Sequence, residues 1–213
     1  LLGLTYRGSL DLTDWFGEIA DMLVPRDPEP LPPFPDPPVQ ETFSLSEWDA
    51  PFPLLTAAEL EGDGSWIPSG VPDSNTVTVL RSPESGAPMR YYIDQTGEGT
   101  SGHSDLHYTF YLQQDAQSAQ RQLDNLLREL TAPDMVPDIP GGPSFPFREE
   151  TVPGTDQFLV RAVKTDLLEG FVPSWNILAL SGNQVLYLDY TGFLDLTEWY
   201  GDIADMLTQI ESK

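Results

Sequence analysis

The sequence contains no cysteine, only two histidines, and only two lysines, Lys164 and Lys213. The absence of cysteine excludes disulfides, thiol catalysis and thiolate zinc sites. Two histidines are too few for a histidine-rich zinc site. The sequence also has no signal peptide and no apolar run of transmembrane length. We therefore expect a mature chain whose targeting segment, if it has one, lies upstream, with no membrane insertion within this chain.

Basic residues are scarce as a group. Ten Lys and Arg stand against 34 Asp and Glu, which gives a formal net charge of −24. Such a field repels phosphate backbones and anionic lipid head groups, so nucleic acid is not an expected partner. The acids are spread along the chain, which is typical of a self-repelling soluble surface. Adaptation to a high-salt habitat is the alternative.

Motifs of nucleotide-binding and hydrolytic enzymes are also missing. The sequence has no glycine-rich phosphate loop and no G-x-S-x-G elbow. Ser101, His103, Ser104 and Asp105 lie close together, and His107 follows. Catalytic triads are assembled from separated chain positions, however, so these are better interpreted as polar surface residues. The sequence predicts a non-catalytic protein with no catalytic residue and no cofactor.

What the sequence does contain is an internal repeat. Residues 4–23 and 188–207 agree at 14 of 20 positions at an offset of 184. The segment 1–24 thus repeats 185–208, and each copy has a strand-like part followed by a helix-like part. This offset indicates slightly more than one period of a tandem array, with residues 1–24 as the tail of a preceding unit. The alternative is that residues 1–24 are an ordinary element of one larger domain.

A proline-rich stretch follows the first copy. Residues 25–38 contain eight prolines in fourteen positions. Such a stretch cannot donate the hydrogen bonds of a helix or a sheet and favours a stiff polyproline II spacer. We assign residues 25–43 to a linker and residues 44–213 to one complete domain.

The complete domain shows alternating helix and strand patterns. Thr56 and Glu59 have capping-box spacing, and strand-like runs follow at 76–82, 89–94 and 106–112. A helix is predicted after Asp115, with the apolar stripe Ala116, Ala119, Leu123, Leu126, Leu127 and Leu130.

The last third of the domain continues this alternation. A strand is predicted at 157–165, and two further strands flank Gly182-Asn183, a strong hairpin signal. Asp195 is then expected to cap a closing helix. The resulting prediction is an α+β fold, an antiparallel sheet packed with helices in the order α-β-β-β-α-β-β-β-α, preceded by the duplicated strand-helix segment.

The opening LLTAAEL helix and the closing SGNQVLYLDYTG strand resemble the extracellular sensor-like domains of bacterial lipoproteins and receptor kinases. The resemblance covers roughly residues 50–208. Those domains often carry disulfides, whereas this chain has no cysteine. The resemblance implies an exported, non-catalytic, lipoprotein-like module at the cell surface. It assigns no individual functional residue.

One stretch raises the question of a metal. In DQTGEGTSGHSD, residues 94–105, oxygen-bearing side chains and a glycine fall loosely at the spacing of a calcium loop. The candidate ligands are Asp94, Thr96, Glu98 and Asp105. Strands flank the stretch, and its last position is Asp rather than the bidentate Glu. A flexible glycine-rich hairpin loop is therefore the preferred interpretation, with calcium as the weaker one.

The repeated segment suggests a role in assembly. A lone strand and short helix are marginal in water, so the apolar residues of 1–24 need a partner. That partner is the rest of an upstream unit, another subunit or the free sheet edge of the chain's own domain. We predict structural or adhesive association with copies of the chain or an adjacent repeat unit, and the alternative is an extracellular ligand-sensing domain. The predicted anchors are Tyr6, Trp15, Phe16, Ile19, Met22 and Leu23.

Overall fold

The computed structural model describes residues 36–61, 67–70, 74–99, 102–132, 145–163 and 173–210. The chain divides into two compact units, Leu1–Asp36 and Pro37–Lys213. All the helices and strands below lie in the second unit. The predicted segment 1–24 and its anchors lie outside the described residues.

Strands dominate this unit, and the helices between them are short. The strands are β1 (Val39–Ser44), β2 (Ile67–Pro68), β3 (Thr76–Arg81), β4 (Pro88–Gly99), β5 (Gly102–Leu112), β6 (Arg148–Glu149), β7 (Gln157–Val163), β8 (Ser174–Ser181) and β9 (Gln184–Thr191). The helices are α1 (Ala57–Glu61), α2 (Ala116–Leu130), a 3-10 helix (Leu196–Trp199) and α3 (Tyr200–Thr208).

The predicted α+β class and its order α-β-β-β-α-β-β-β-α are wrong. The described residues form mostly one antiparallel sheet of nine strands, ordered β1-β3-β4-β5-β9-β8-β7-β6, with β2 paired to β4. The described elements begin with a strand, because residues 39–43 of the predicted linker form β1 together with Ser44 and pair with β3. More of the described residues lie in strands than in helices, because α1 and α3 have only five and nine residues.

The centre of the sheet is formed by strands distant in sequence. β9 pairs with β5 on one side and with β8 on the other, so Leu188 lies opposite both Tyr108 and Ile177. β8 and β9 are joined by the predicted Gly182-Asn183 turn, in which Gly182 has a φ of 56°. This positive φ favours glycine.

One face of the sheet, the first face, carries the larger core. Its strand residues include Ile93, Tyr108, Phe110, Ile177 and Leu188, all fully buried. The covering residues come from α1, the 3-10 helix and α3, and include Ala57, Leu60, Leu196, Ile203, Ala204, Met206 and Leu207. Burial of these side chains is the main force that holds the helices against the sheet.

The opposite face, the second face, is covered in part by α2. Four residues of the predicted α2 stripe are buried, Ala119, Leu123, Leu126 and Leu130, whereas Leu127 is half-buried and Ala116 is exposed. The stripe packs against Leu159, Leu178, Leu180 and Val185 of β7, β8 and β9. The predicted N-cap is confirmed, because the Asp115 carboxylate accepts a hydrogen bond from the Ser118 amide at 2.7 Å. On β4, in contrast, the second face is open, and Tyr92 is 39% exposed.

Candidate functional site

A row of polar side chains crosses the second face of the sheet. In the cross-strand register Asp94 lies opposite His107, His107 opposite Asp189, Asp189 opposite Asn176, and Asn176 opposite Arg161. We call these five residues the polar row. Directly opposed side chains on neighbouring strands lie within interaction distance, so five separate strands contribute to one cluster.

Arg161 closes the buried end of the polar row. Its Nε donates to Asn176 Oδ1 at 2.9 Å, and its Nη1 donates to the carbonyl of Leu130, at the end of α2, at 2.7 Å. Asn176 Nδ2 in turn donates to Asp189 Oδ1 at 2.9 Å. The guanidinium also stacks on the ring of Phe147, 4.8 Å from its centroid. These contacts link three strands and α2 through one buried cation.

The electrostatics of the polar row centre on Asp189. Burial raises the pKa of this carboxyl, and the charges of His107 and Arg161 offset part of the rise. Burial and the nearby Asp189 charge also raise the pKa of Tyr187 well above its usual value. Desolvation lowers the pKa of Arg161. At the buried end Asn176 therefore bridges Arg161 and Asp189, and each of these two charges partly compensates the burial of the other.

Asp94, His107 and the neighbouring Tyr92 form the open end of the polar row. His107 Nδ1 lies 3.4 Å from Asp94 Oδ1, and the two side chains are 31% and 22% exposed. The Tyr92 and His107 rings are stacked, with centroids 6.5 Å apart. His107 Nδ1 is buried and has no hydrogen-bond partner of good geometry among the described residues. A ligand at this end would meet an imidazole, a carboxylate and a phenol.

The calcium candidates lie on paired strands rather than in a loop. Asp94, Thr96 and Glu98 belong to β4, and Thr96 lies opposite Asp105 of β5. The preferred interpretation of a flexible loop is wrong for the described part of this stretch, because β4 runs to Gly99 and β5 begins at Gly102. The candidate ligands are therefore spread along two paired strands, whereas a calcium loop would wrap its ligands around one ion. In the described parts of the chain, no group of three or more His, Asp or Glu could hold a metal ion.

The second copy of the repeat, residues 185–208, forms the central strand β9 and the helices that pack on the first face of the sheet. The residues equivalent to the six predicted anchors all pack in or against the first-face core, and they are Tyr190, Trp199, Tyr200, Ile203, Met206 and Leu207. At this end of the chain the repeated segment therefore joins a central strand to the helix that closes the core.

The two copies differ according to the face of the sheet. Leu186, Leu188 and Tyr190 lie in the first-face core, and the first copy has the same three residues at 2, 4 and 6. The alternate positions Tyr187, Asp189 and Thr191 are replaced in the first copy by glycine, threonine and arginine at 3, 5 and 7. The repeat therefore preserves the core-facing residues of β9, whereas the first copy has threonine at the position of Asp189.

Sequence reasoning did not identify the polar row. Its signal lies in single polar residues within otherwise apolar strands: Arg161 in QFLVRAV, Asn176 in WNILALS and Asp189 in QVLYLDY. Ser104, predicted as a surface residue, is buried. Asp105 is half-buried, and Ser101 lies outside the described residues.

Among the described helices none is both long and apolar enough to span a bilayer. No protein-family model, no curated protein and no solved structure matches the chain.

Proposed function

We propose that the chain is a non-catalytic module of an exported, tandemly repeated protein that acts in structural or adhesive assembly. In this proposal residues 1–24 supply the central strand and closing helix of a neighbouring unit. The observation that carries it is the position of residues 185–208, which provide β9 and α3. A copy with the same core-facing residues specifies the same packing surfaces.

The neighbouring unit must be a different one from the unit described here. The place of β9, between β5 and β8, is already occupied by residues 184–191. A strand and a short helix gain most of their stability from tertiary packing, so residues 1–24 require an equivalent sheet. We assign that sheet to a preceding unit of the same polypeptide, with the proline-rich residues 25–38 as the spacer between units.

A fusion protein tests this proposal directly. Residues 39–184 are joined to the front of residues 1–213, and because Leu1 aligns with Val185 this restores a complete upstream unit. We expect backbone amides of residues 1–24 in the fusion to be protected from hydrogen exchange to the same degree as those of 185–208. Peptides from residues 1–24 occur once in the fusion, so mass spectrometry can identify them.

Two variants of the fusion supply the controls. Ile19 is equivalent to the fully buried Ile203, so Ile19→Asp should abolish protection in residues 1–24 and leave 185–208 protected. Glu18 is equivalent to the exposed Asp202, so Glu18→Gln should change neither. If residues 1–24 gain no protection in the fusion, the assembly role is wrong.

A ligand-sensing domain is the second candidate, and the open end of the polar row favours it. Tyr92, Asp94 and His107 present a phenol, a carboxylate and an imidazole on an uncovered part of the sheet. The two histidines of the chain can be followed separately by ring nitrogen resonances. Titration with free glycine, glutamate and lysine should shift the His107 signal more than the His103 signal. Equal shifts, or none, would count against sensing at this surface.

A further inference from the structure

The two strands at the ends of the sheet differ in how they are protected. An exposed edge strand presents unpaired backbone groups to other chains, and proteins limit this with very short strands, lysine, proline or bulges. One end strand is β6, which has only two residues. The other is β1, which has six residues, contains no lysine or proline, and pairs with β3 without a bulge. No strand in the described parts of the chain pairs with the outer side of β1, so this edge is open to another strand.

The backbone of β1 directs hydrogen-bonding groups away from the sheet at every second residue. The Leu45 amide donates to the Asn75 carbonyl at 2.9 Å, and this pair continues the register of β1 with β3. Bonded and non-bonded pairs alternate in an antiparallel ladder, so Glu41 and Phe43 bond to β3. The backbone groups that point outward belong to Gln40, Thr42 and Ser44. Of these groups, the Ser44 carbonyl accepts from the Glu47 amide, and the described residues supply no backbone partner for the others.

Exposed apolar side chains accompany these backbone groups. Val39 and Phe43 are 51% and 39% exposed, and they lie on the same face of β1. The acid between them, Glu41, is paired with Arg81 of β3, whose Nε lies 2.9 Å from Glu41 Oε2. In a chain of net charge −24, β1 therefore carries no unpaired charge of its own. Such an edge is suited to a neutral strand like itself rather than to a charged partner.

The sequence of β1 is complementary to itself in one antiparallel register. When Thr42 lies opposite its equivalent in a second copy, Gln40 lies opposite Ser44, and the outward backbone groups of all three residues meet. Threonine pairs of this kind stabilise sheets. The next register in one direction places Glu41 opposite its equivalent, and directly opposed like charges are destabilising. The next register in the other direction places Gln40 opposite Ser46, which lies beyond the strand, so pairing about Thr42 is favoured.

We propose that two copies of the chain associate through β1, antiparallel about a two-fold axis at Thr42, into one continuous sheet. The contact is a single pair of six-residue strands, smaller than the about 1,200–2,000 Å² of a stable complex, so the dimer is weak and reversible. Because two chains of net charge −24 repel each other, added salt strengthens the dimer. This surface is separate from residues 1–24 and does not depend on their assembly role.

Sedimentation and amide hydrogen exchange of the full chain, from about 10 µM to 1 mM and with salt raised to about 0.5 M, test the proposal. The outward amides of Gln40, Thr42 and Ser44 should exchange fast in the dilute monomer and slowly in the dimer. The amides of Glu41 and Phe43 should be protected in both, because they bond to β3. A chain that stays monomeric, or that dimerises without protecting the outward amides, overturns the proposal. Protection of these amides in the dilute monomer also overturns it, because another segment then covers the edge.

Variants separate pairing through β1 from the general repulsion between two acidic chains. Thr42→Lys places two lysines opposite each other at the axis and should weaken dimerisation about tenfold. Thr151→Lys makes the same change of charge at an exposed position outside β1, and it should leave dimerisation unchanged or strengthen it slightly. Slow exchange of the Glu41 and Phe43 amides shows that β1 stays folded in the first variant. If both variants dimerise equally well, the contact lies elsewhere and the proposal is wrong.

Discussion

Gly192 lies against the phenol ring of Tyr190, so that a Cβ at position 192 would overlap the ring. The ring cannot move aside easily, because Tyr190 is 1% exposed in the first-face core. The first copy of the repeat has Tyr6 and Gly8 at the same spacing. This pair gives a steric reason for one of the identities between the copies.

Replacement of Gly192 should therefore destabilise the protein. We expect Gly192→Ala to lower the free energy of unfolding by about 1–3 kcal/mol through overpacking, measured by urea denaturation. Gly201 in α3 is the matched control, because nothing lies within 4 Å of a Cβ built there. Gly201→Ala should raise the stability by about 0.5–1 kcal/mol through helix propensity. Equal effects of the two changes would contradict the steric account.

Loss of the buried cation of the polar row should be costly. Arg161→Met leaves Asn176 Oδ1 and the Leu130 carbonyl without their buried donor and removes a positive charge that offsets the burial of Asp189, so we expect a loss of about 3–5 kcal/mol in unfolding free energy. Arg121→Met on the exposed side of α2 should change stability by less than about 0.5 kcal/mol. If Arg161→Met leaves the free energy of unfolding unchanged, the polar row does not stabilise the fold.

Two aspartates should give stability opposite dependences on pH. The folded-state pKa of Asp189 is raised by burial, so its contribution to stability is present below the unfolded pKa and is lost as pH rises through the folded value. The folded-state pKa of Asp115 is lowered by its hydrogen bonds to the Ser118 backbone and side chain, so its contribution is lost as pH falls.

Replacing each aspartate with asparagine tests these opposite pH dependences of stability. From about pH 3 to pH 7, the stability of Asp189→Asn relative to the parent chain should increase. The relative stability of Asp115→Asn should decrease over the same range. Urea denaturation at several pH values gives the stability of each variant relative to the parent chain. If this relative stability changes with pH in the same direction for both variants, the two carboxyls do not differ in environment as described.

The hydroxyl of Tyr108 should contribute to holding the segment before α1. It is buried and donates to the Leu55 carbonyl at 2.7 Å. Tyr108→Phe should lower the free energy of unfolding by about 1–2 kcal/mol, because the carbonyl then depends on a long 3.4 Å contact from Gln95. Tyr92→Phe, at a 39% exposed position, should have almost no effect. Thermal unfolding of both variants decides the matter.

Local signals in the sequence predicted local structure well. The Thr56–Glu59 capping box is present, since the Glu59 amide contacts Thr56 Oγ1 at 3.2 Å and its carboxylate contacts the Thr56 amide. The Asp195 cap is also present, on a 3-10 turn that precedes α3. Each of these features depends on residues a few positions apart, so sequence spacing is sufficient.

Features that depend on pairing were missed. Gly97 and Gly99 suggested a flexible loop, but cross-strand hydrogen bonding with β5 keeps this stretch extended. The prolines before residue 39 suggested a linker as far as residue 43, yet β1 pairs with β3 from its first residue. The polar row brings together residues far apart in sequence, such as Asp94 and Asp189, which both lie opposite His107. The hydrophobic periodicity of one strand does not show which distant strand pairs with it, or in which register.

The position of β9 between β5 and β8 has a consequence for folding during synthesis on the ribosome. Strands β5 and β8 leave the ribosome before the strand that separates them, so the sheet stays incomplete until the last part of the unit has been made. Residues 1–8 emerge long before that point and carry the same core-facing pattern as β9. Two segments with the same core-facing residues are thus able to compete for one gap during synthesis. Closure of an upstream unit over residues 1–8 would remove the wrong competitor before β9 is made.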